Sequence, residues 1–324
     1  EAVMQEVLLV VPRGFCAGVS RAIDTVKLAL LRYRAPVYVR RSIVHNAEVV
    51  AELAALGAIF VKELAEVPDG ACVVFSAHGV SQAVRHEASR RGLRVVDATC
   101  PLVEKVHMEA LRYLAQGLAV VLLGHPDHDE TIGTLGEAPG RIHLVSTPSD
   151  VSTLPMPDGA TVAYLTQTTL SDEQVAPLVA ALRRRYPRLR APRTADVCYA
   201  TQNRQAAVRW LAQYADHVLV LGDPTSSNSQ RLVEVAMAEG VVAMLASSID
   251  TVPESWLTAA TVLGLTAGAS TPDHLVQAAV ARFVGAGVPV REKRLGAETT
   301  HFSLPKELDI PAVVPAGAAV GVVA

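Results

Sequence analysis

No long apolar run occurs in this sequence. The longest, such as residues 6–11 and 118–123, fall far short of the roughly 18 to 20 residues that cross a bilayer, so no membrane-spanning helix is expected. Nor is there an excess of positive charge. Lys and Arg total 29 against 32 Asp and Glu, and a net charge of -3 provides no field to recruit nucleic acid or an anionic membrane, so an anionic ligand must be caught locally. The first residues lack the basic, apolar and small-residue order of a secretory signal, which makes the cytoplasm the expected compartment. Neither a Gly-x-x-x-x-Gly-Lys-Ser/Thr loop nor a Gly-x-Gly-x-x-Gly turn is present, so P-loop and Rossmann nucleotide sites are unsupported. Aromatic residues make up only 4%, which leaves an aliphatic core. Cysteines number four, too few for a disulfide framework in a chain of this size and compartment.

What is present is an alternation of short Val/Leu/Ile/Ala runs with amphipathic stretches, the pattern of βαβ units whose strands are buried on both faces. Strands are expected at 7–11, 37–40, 72–76, 95–96, 119–123, 162–165, 218–221, 241–244 and 261–265. Helices are expected at 19–31, 102–115 and 202–215, and the Arg- and Pro-rich stretch 183–193 reads as a linker or domain edge. The fold class is therefore α/β with mostly parallel sheets, divided as 1–98, 99–195 and 196–290, with a C-terminal segment 291–324. One arrangement recurs: strand, polar turn with a cysteine, helix.

Cys16, Cys100 and Cys198 each stand immediately before a helical pattern, about a third of the chain apart. At a helix N-terminus the partial positive charge of free amides favours a thiolate, the form that binds metal. Three such thiolates meeting between three units can hold three irons of a 4Fe-4S cluster and leave one iron open to substrate. From position alone the cysteines read equally as small buried hydrophobes, and Cys72, inside the apolar run Ala71–Phe75, is assigned to the core.

Ligands of open α/β sheets gather beyond the carboxyl ends of strands, where this chain places His45–Asn46, His78–Gly79, His125 and His128, Thr166–Thr169, Ser226–Ser229 and Gly268–Ser270. Hydroxyls, amides and imidazoles on turns before helices suit a phosphate or diphosphate. Each alone reads also as a helix cap or a structural histidine. Glu130 is a first-turn acid or, beside an imidazole and a buried cluster, a proton source.

Taken together, Pro12-Arg-Gly-Phe-Cys-Ala-Gly-Val19, Ile43-Val-His-Asn46, Phe75-Ser-Ala-His-Gly-Val80, Asp97-Ala-Thr-Cys-Pro-Leu-Val103, Thr166-Gln-Thr-Thr-Leu-Ser171, Cys198-Tyr-Ala-Thr-Gln-Asn-Arg-Gln205, Ser226-Ser-Asn-Ser229 and Thr266-Ala-Gly-Ala-Ser270 form a specific set. With Phe302-Ser-Leu-Pro-Lys-Glu-Leu308, the chain resembles over nearly its whole length the LytB family of 4-hydroxy-3-methylbut-2-enyl diphosphate reductases.

The resemblance implies three similar αβα domains around a central 4Fe-4S cluster held by Cys16, Cys100 and Cys198, with one iron open. It implies a diphosphate pocket of His45, His78, His128, Ser226, Ser227, Asn228 and Ser270, with Glu130 as proton source and Thr168 near the substrate alcohol. The implied reaction is two-electron reductive dehydroxylation of (E)-4-hydroxy-3-methylbut-2-enyl diphosphate to isopentenyl and dimethylallyl diphosphate, the last step of the non-mevalonate pathway. Ferredoxin or flavodoxin would supply the electrons to a monomer or homodimer. The competing readings are a non-catalytic cluster sensor, a cluster-dependent hydratase and a zinc-thiolate phosphohydrolase.

The chain departs from the family pattern at Asp127 and Ile132, where the family's turn has glycine and a second glutamate, and at Ser20 and Asp223-Pro-Thr225. Asp127 and Ile132 are expected to alter the loop around Glu130, and so efficiency rather than reaction type.

Overall fold

The computed structural model describes residues 4–308; the apolar tail 309–324, for which the sequence offers no function, lies outside the described residues. The chain opens with β1 (Glu6–Val11), α1 (Ala17–Tyr33), β2 (Val37–Arg40), α2 (Ala47–Ala55), β3 (Ala58–Val61), β4 (Cys72–Phe75), α3 (Gln82–Arg90) and β5 (Arg94–Asp97). There follow α4 (Pro101–Ala115), β6 (Ala119–Leu123), α5 (Asp129–Leu135), β7 (Ile142–Val145), β8 (Val162–Thr166) and α6 (Asp172–Arg185). The last third holds α7 (Tyr199–Ala212), β9 (His217–Leu221), α8 (Ser227–Ala238), β10 (Val242–Ala246), α9 (Glu254–Ala259), β11 (Val262–Ala267), α10 (Asp273–Gly285) and β12 (Val290–Arg294).

All pairings between these strands are parallel. The sheets run β10-β9-β11-β1-β12, β3-β2-β4-β5 and β7-β6-β8, and Ala163 of β8 adds a parallel bridge to Arg190. One order therefore repeats: second strand, first, third, then a fourth segment. That fourth segment is β1, β5 or the stretch at Arg190, and each leads into one of Cys16, Cys100 and Cys198.

The strand pairing crosses the sequential division at β1. β1 falls in 1–98 by position, yet it pairs with β11 and β12 and completes the sheet of the last third. The reason is burial: Val7, Leu8, Leu9 and Val10 are all buried, which suits an interior strand between two parallel neighbours. The strands that the apolar pattern does not reveal, β3, β7 and β12, all lie at sheet edges. An edge strand is not covered on both faces and need not be uniformly apolar; β12 reads Val-Arg-Glu-Lys-Arg and is largely exposed. Arg183–Arg185 are not linker but the last turn of α6, where cations suit the helix dipole, and Arg190 joins the sheet.

Each cysteine-led helix leaves one sheet and packs on the next. Ile23, Val26 and Ala29 of α1 cluster with Val37, Val39 and Val74; Val106 and Ala110 of α4 with Val120 and Leu122; Ala207, Val208 and Leu211 of α7 with Val218 and Val220. The cysteines thus stand where the chain passes between units. Cys72 is buried in β4, and burial pushes its thiol up to about 11.

Candidate functional site

Cys16, Cys100 and Cys198 are the N-cap residues of α1, α4 and α7, all with extended backbone. Their amides are anchored alike, each to the turn beyond a neighbouring strand: Cys16 N donates to Ala269 O at 3.2 Å, Cys100 N to Ala77 O at 2.9 Å and Cys198 N to Thr168 O at 3.0 Å. All three side chains line one cavity of about 110 Å³. Gly18, in the first turn of α1, opens the space between two of them. A Cβ there would lie 2.8 Å from the Cys100 sulfur and 3.8 Å from that of Cys16.

At Cys100 and Cys198 burial outweighs the helix dipole, a correction to the expectation of ready-made thiolates there. Desolvation, with repulsion from the other cysteines, pushes Cys100 up to about 12 and Cys198 up to about 11, although Thr201 N donates to the Cys198 sulfur at 3.3 Å. Three sulfurs lining one cavity fit a cationic group, which would displace the protons.

A second set of lining residues, which with the cysteines gives the cavity two kinds of wall, is three imidazoles. His45 and His78 stack at 4.1 Å between centroids, and His128 meets them edge-on at 5.2 and 5.6 Å. Burial lowers the pKa of each, to about 4 for His128, and their mutual repulsion adds to this at His78 and His128. The Glu130 amide donates to His128 Nδ1 at 3.2 Å, so the neutral ring carries its hydrogen on Nε2. His45 Nε2 and His78 Nδ1 are buried without a partner among the described residues, as suits atoms awaiting a ligand. Asp129 lies close to this pair, and its carboxylate is engaged by Arg41.

Beside the histidines, Ser226 caps α8 by accepting from Ser229 N at 3.3 Å, and the first turn of that helix presents its amides and the Ser227 and Asn228 side chains. Asn228 Oδ1 accepts from Ala269 N at 2.8 Å, while the Ser270 hydroxyl donates to the His45 carbonyl at 2.9 Å. Ser229, which points the other way, fills the gap between Gly222 and Gly268, where a Cβ would lie 2.3 or 2.0 Å from its hydroxyl.

Glu130 is buried at the seam between the two walls. Thr168 donates to it twice, from its amide at 2.7 Å and its hydroxyl at 2.8 Å. Burial nevertheless pushes the carboxyl up to about 7, against these two hydrogen bonds. A group poised there can hold a proton and release it at neutral pH.

All twelve side chains singled out in the sequence therefore converge: Cys16, Cys100, Cys198, His45, His78, His128, Glu130, Thr168, Ser226, Ser227, Asn228 and Ser270 line the same cavity. His125 does not line it. Sequence reasoning gave no role to Gly18, two residues past a cysteine and just before the helical pattern at 19–31; Thr169, named there only within the strand-end group Thr166–Thr169, has its hydroxyl 2.9 Å from that of Ser227. Gln167 of the same group, given no role of its own in the sequence, spans His125 N at 3.0 Å and Thr169 Oγ1 at 2.8 Å with its side chain. Asp127 and Ile132 are exposed and absent from the cavity wall, and the side-chain bonds of Glu130 run to Thr168, so neither departure disturbs it directly.

A family model described as LytB protein matches residues 7–284. The 4-hydroxy-3-methylbut-2-enyl diphosphate reductase 1 of Mycobacterium tuberculosis is 52% identical over 307 residues, covering 93% of this chain and 93% of its own. The reductase of the same description from Bordetella pertussis is 53% identical over 304 residues, 94% of each chain. Among solved structures, the E-1-hydroxy-2-methyl-but-2-enyl-4-diphosphate reductase from Plasmodium falciparum matches with a TM-score of 0.90 at 35% identity, over 94% of this chain and 97% of that one.

Proposed function

The chain belongs to the LytB family, and from that premise we propose that it is a reductase converting (E)-4-hydroxy-3-methylbut-2-enyl diphosphate to isopentenyl and dimethylallyl diphosphate. Two electrons and two protons replace the allylic C–O bond with C–H and release water. This is the last step of the non-mevalonate isoprenoid pathway.

Cys16, Cys100 and Cys198 are the residues that would hold a 4Fe-4S cluster with one iron open, a fit supported by their convergence on the space that Gly18 leaves free. When bound, such a cluster supplies the electrons and a Lewis-acidic position for the substrate's alcohol. His45, His78, His128 and the first turn of α8 would seat the diphosphate. As neutral donors they bind it without an internal like-charge repulsion, and an arriving anion raises their pKa and draws protons in. With Glu130 ionised, the Thr168 hydroxyl donates to its carboxylate. With Glu130 protonated, the acid would donate to the Thr168 oxygen instead and turn that hydroxyl's hydrogen toward the substrate's alcohol oxygen, so that a proton passed from Glu130 to Thr168 moves the Thr168 hydrogen on to the departing oxygen.

The observation that carries this reading is Glu130, held twice by Thr168 at the seam and neutral up to about pH 7. A sensor has no need of it, and a hydratase or phosphohydrolase would need no electrons. Anaerobic turnover of the diphosphate by reconstituted protein with a chemical reductant, with products identified by mass, separates these readings. Both isomers should form, and only with reductant; an intact cluster without reduction would leave the sensor reading. Product formed in a zinc-loaded, iron-free protein would sink the redox reading.

The electron donor is proposed to be a ferredoxin or flavodoxin, the compartment the cytoplasm and the assembly a monomer or homodimer. No helix among the described residues is long and apolar enough to cross a membrane. We also read the chain as three units, with β1 closing the third.

A further inference from the structure

Five or six residues beyond each cysteine, its helix carries a cation whose partners lie in the loop that leads to the next cysteine. Arg21 on α1, beyond Cys16, donates from Nη1 to the carbonyl of Thr99 at 3.0 Å, immediately before Cys100. Lys105 on α4, beyond Cys100, donates to the carbonyls of Thr194 and Ala195 at 2.9 Å each and to Asp196 at 3.0 Å, just before Cys198. Arg204 on α7, beyond Cys198, donates to the carbonyl of Gly14 at 2.7 and 3.1 Å and to that of Phe15 at 3.4 Å, just before Cys16. The circuit closes on itself.

These contacts are built into the fold. Arg204 is fully buried and Glu298 takes its guanidinium at 2.9 and 3.2 Å; the Asp196 side chain, also fully buried, accepts from Thr166 N at 3.0 Å as well. Arg21 differs, because its other hydrogen-bond partner among the described residues is the carbonyl of Ser303 at 2.6 Å rather than a carboxylate. Two of the three cations are thus met by carboxylates, while among the described residues Arg21 makes no ion pair with one. Glu298 and Ser303 belong to the same C-terminal stretch, which clasps two members of the ring.

We propose that Arg21, Lys105 and Arg204 form a closed brace of positioning residues, each fixing the loop of the following cysteine, and that Arg21 also lends net positive charge to the cysteine cluster. The proposal rests on the three cysteines sharing one iron-sulfur group. Three sulfurs that must become anionic together repel one another, and nothing in their own helices sets the distance between them. A cation that bonds the backbone just before each cysteine sets that distance, and Arg21, which no carboxylate pairs among the described residues, also offsets part of the repulsion. Because the ring is closed, removing one member frees one loop and leaves two held.

The test compares Arg21→Met, Arg21→Lys, Lys105→Met and Arg204→Lys with the unmodified protein. Amide exchange read by mass spectrometry on cluster-free protein should rise roughly tenfold at residues 97–100 in Arg21→Met, at 194–198 in Lys105→Met and at 12–16 in Arg204→Lys, with the other two loops little changed. Reconstituted variants should lose iron to a chelator faster. Arg21→Met should disfavour reduction about tenfold, a fall of about 59 mV for one electron, while Arg21→Lys keeps the potential. Exchange that is unchanged, or that rises equally in all three loops, overturns the brace, as does iron held as tightly as in the unmodified protein. Unmodified protein that takes up no iron-sulfur group overturns the three-cysteine reading itself, a result distinct from the other two.

Discussion

The cysteine wall and the histidine-serine wall of the cavity are both built on turns beyond parallel strands, yet they are incomplete in opposite senses. The cysteine wall takes one residue from each unit and, as it stands, keeps at least Cys100 and Cys198 protonated because burial defeats the helix dipole. The histidine wall keeps its rings neutral for the same reason, with two buried nitrogens left unpartnered. One desolvated space thus offers a niche for a cation against a niche for an anion. Burial that looks like a penalty on each wall makes both specific, since each gains most from the opposite charge.

The largest expected effect comes from breaking the cysteine wall. Cys100→Ser should abolish both the visible absorption of the reconstituted cluster and turnover, whereas His78→Asn should leave the absorption intact. If both variants lose the absorption, the walls are not separable. Gly18→Ala should resemble the cysteine variant in its spectrum, because the added methyl falls between two sulfurs.

Glu130 sits on the seam, and its loss should cost kcat alone. Glu130→Gln should lower kcat by about 10² to 10⁴-fold with the cluster spectrum retained, the range of a general acid. In the unmodified protein kcat should fall as pH rises past about 7, and the variant should lack that limb. The same shift makes a stability prediction. The folded carboxyl titrates at about 7 rather than 4.5, so its contribution is full below pH 4.5 and lost as pH rises through 7, by roughly 3 kcal/mol. Thermal melts of cluster-free protein should show the glutamine variant gaining on the unmodified chain between pH 5 and 8, and parallel melting curves would refute the buried acid.

On the histidine wall, His45→Asn and His78→Asn should raise KM by about 10 to 100-fold, the worth of one hydrogen bond to a charged group, with smaller effects on kcat. Diphosphate affinity should weaken as pH rises, because binding raises imidazole pKa values that burial holds low in the free protein. A pH-independent affinity would mean that the α8 amides alone seat the anion.

How far the two walls could be read in the sequence differs as well. The cysteines, histidines and Ser226–Asn228 were legible because each lies where a parallel strand hands over to a helix, a position the apolar pattern marks. β1 within the last sheet was not legible, since a buried strand carries the same Val-Leu signature whichever neighbours it pairs with. Of the edge strands, β12 (Val-Arg-Glu-Lys-Arg) is polar and β7 (Ile-His-Leu-Val) is interrupted by a histidine, while β3 (Ala-Ile-Phe-Val) is an apolar run too short to be told from the end of the preceding helix. Gly18 was hidden because a glycine between a cysteine and a helical pattern reads as ordinary turn, and nothing along the chain reveals that two sulfurs, one from a loop far away in sequence, require it. The thiol pKa values were misjudged because helix position is visible in sequence and burial by other units is not.

The smallest effect should come from the departures on the turn between the walls. Asp127 and Ile132 replace residues that looked close to Glu130 along the chain, and a charge near a dianionic ligand would ordinarily weaken its binding. Both side chains, however, face solvent, where water and salt screen a carboxylate, and Glu130 is fixed by Thr168 across the cavity instead. Asp127→Gly and Ile132→Glu should therefore change kcat/KM by no more than about twofold, as for a surface substitution away from the machinery. A tenfold rise in the double variant would show that the turn moves during catalysis and brings these positions into the site. The boundary between the two walls would then have to be redrawn to include it.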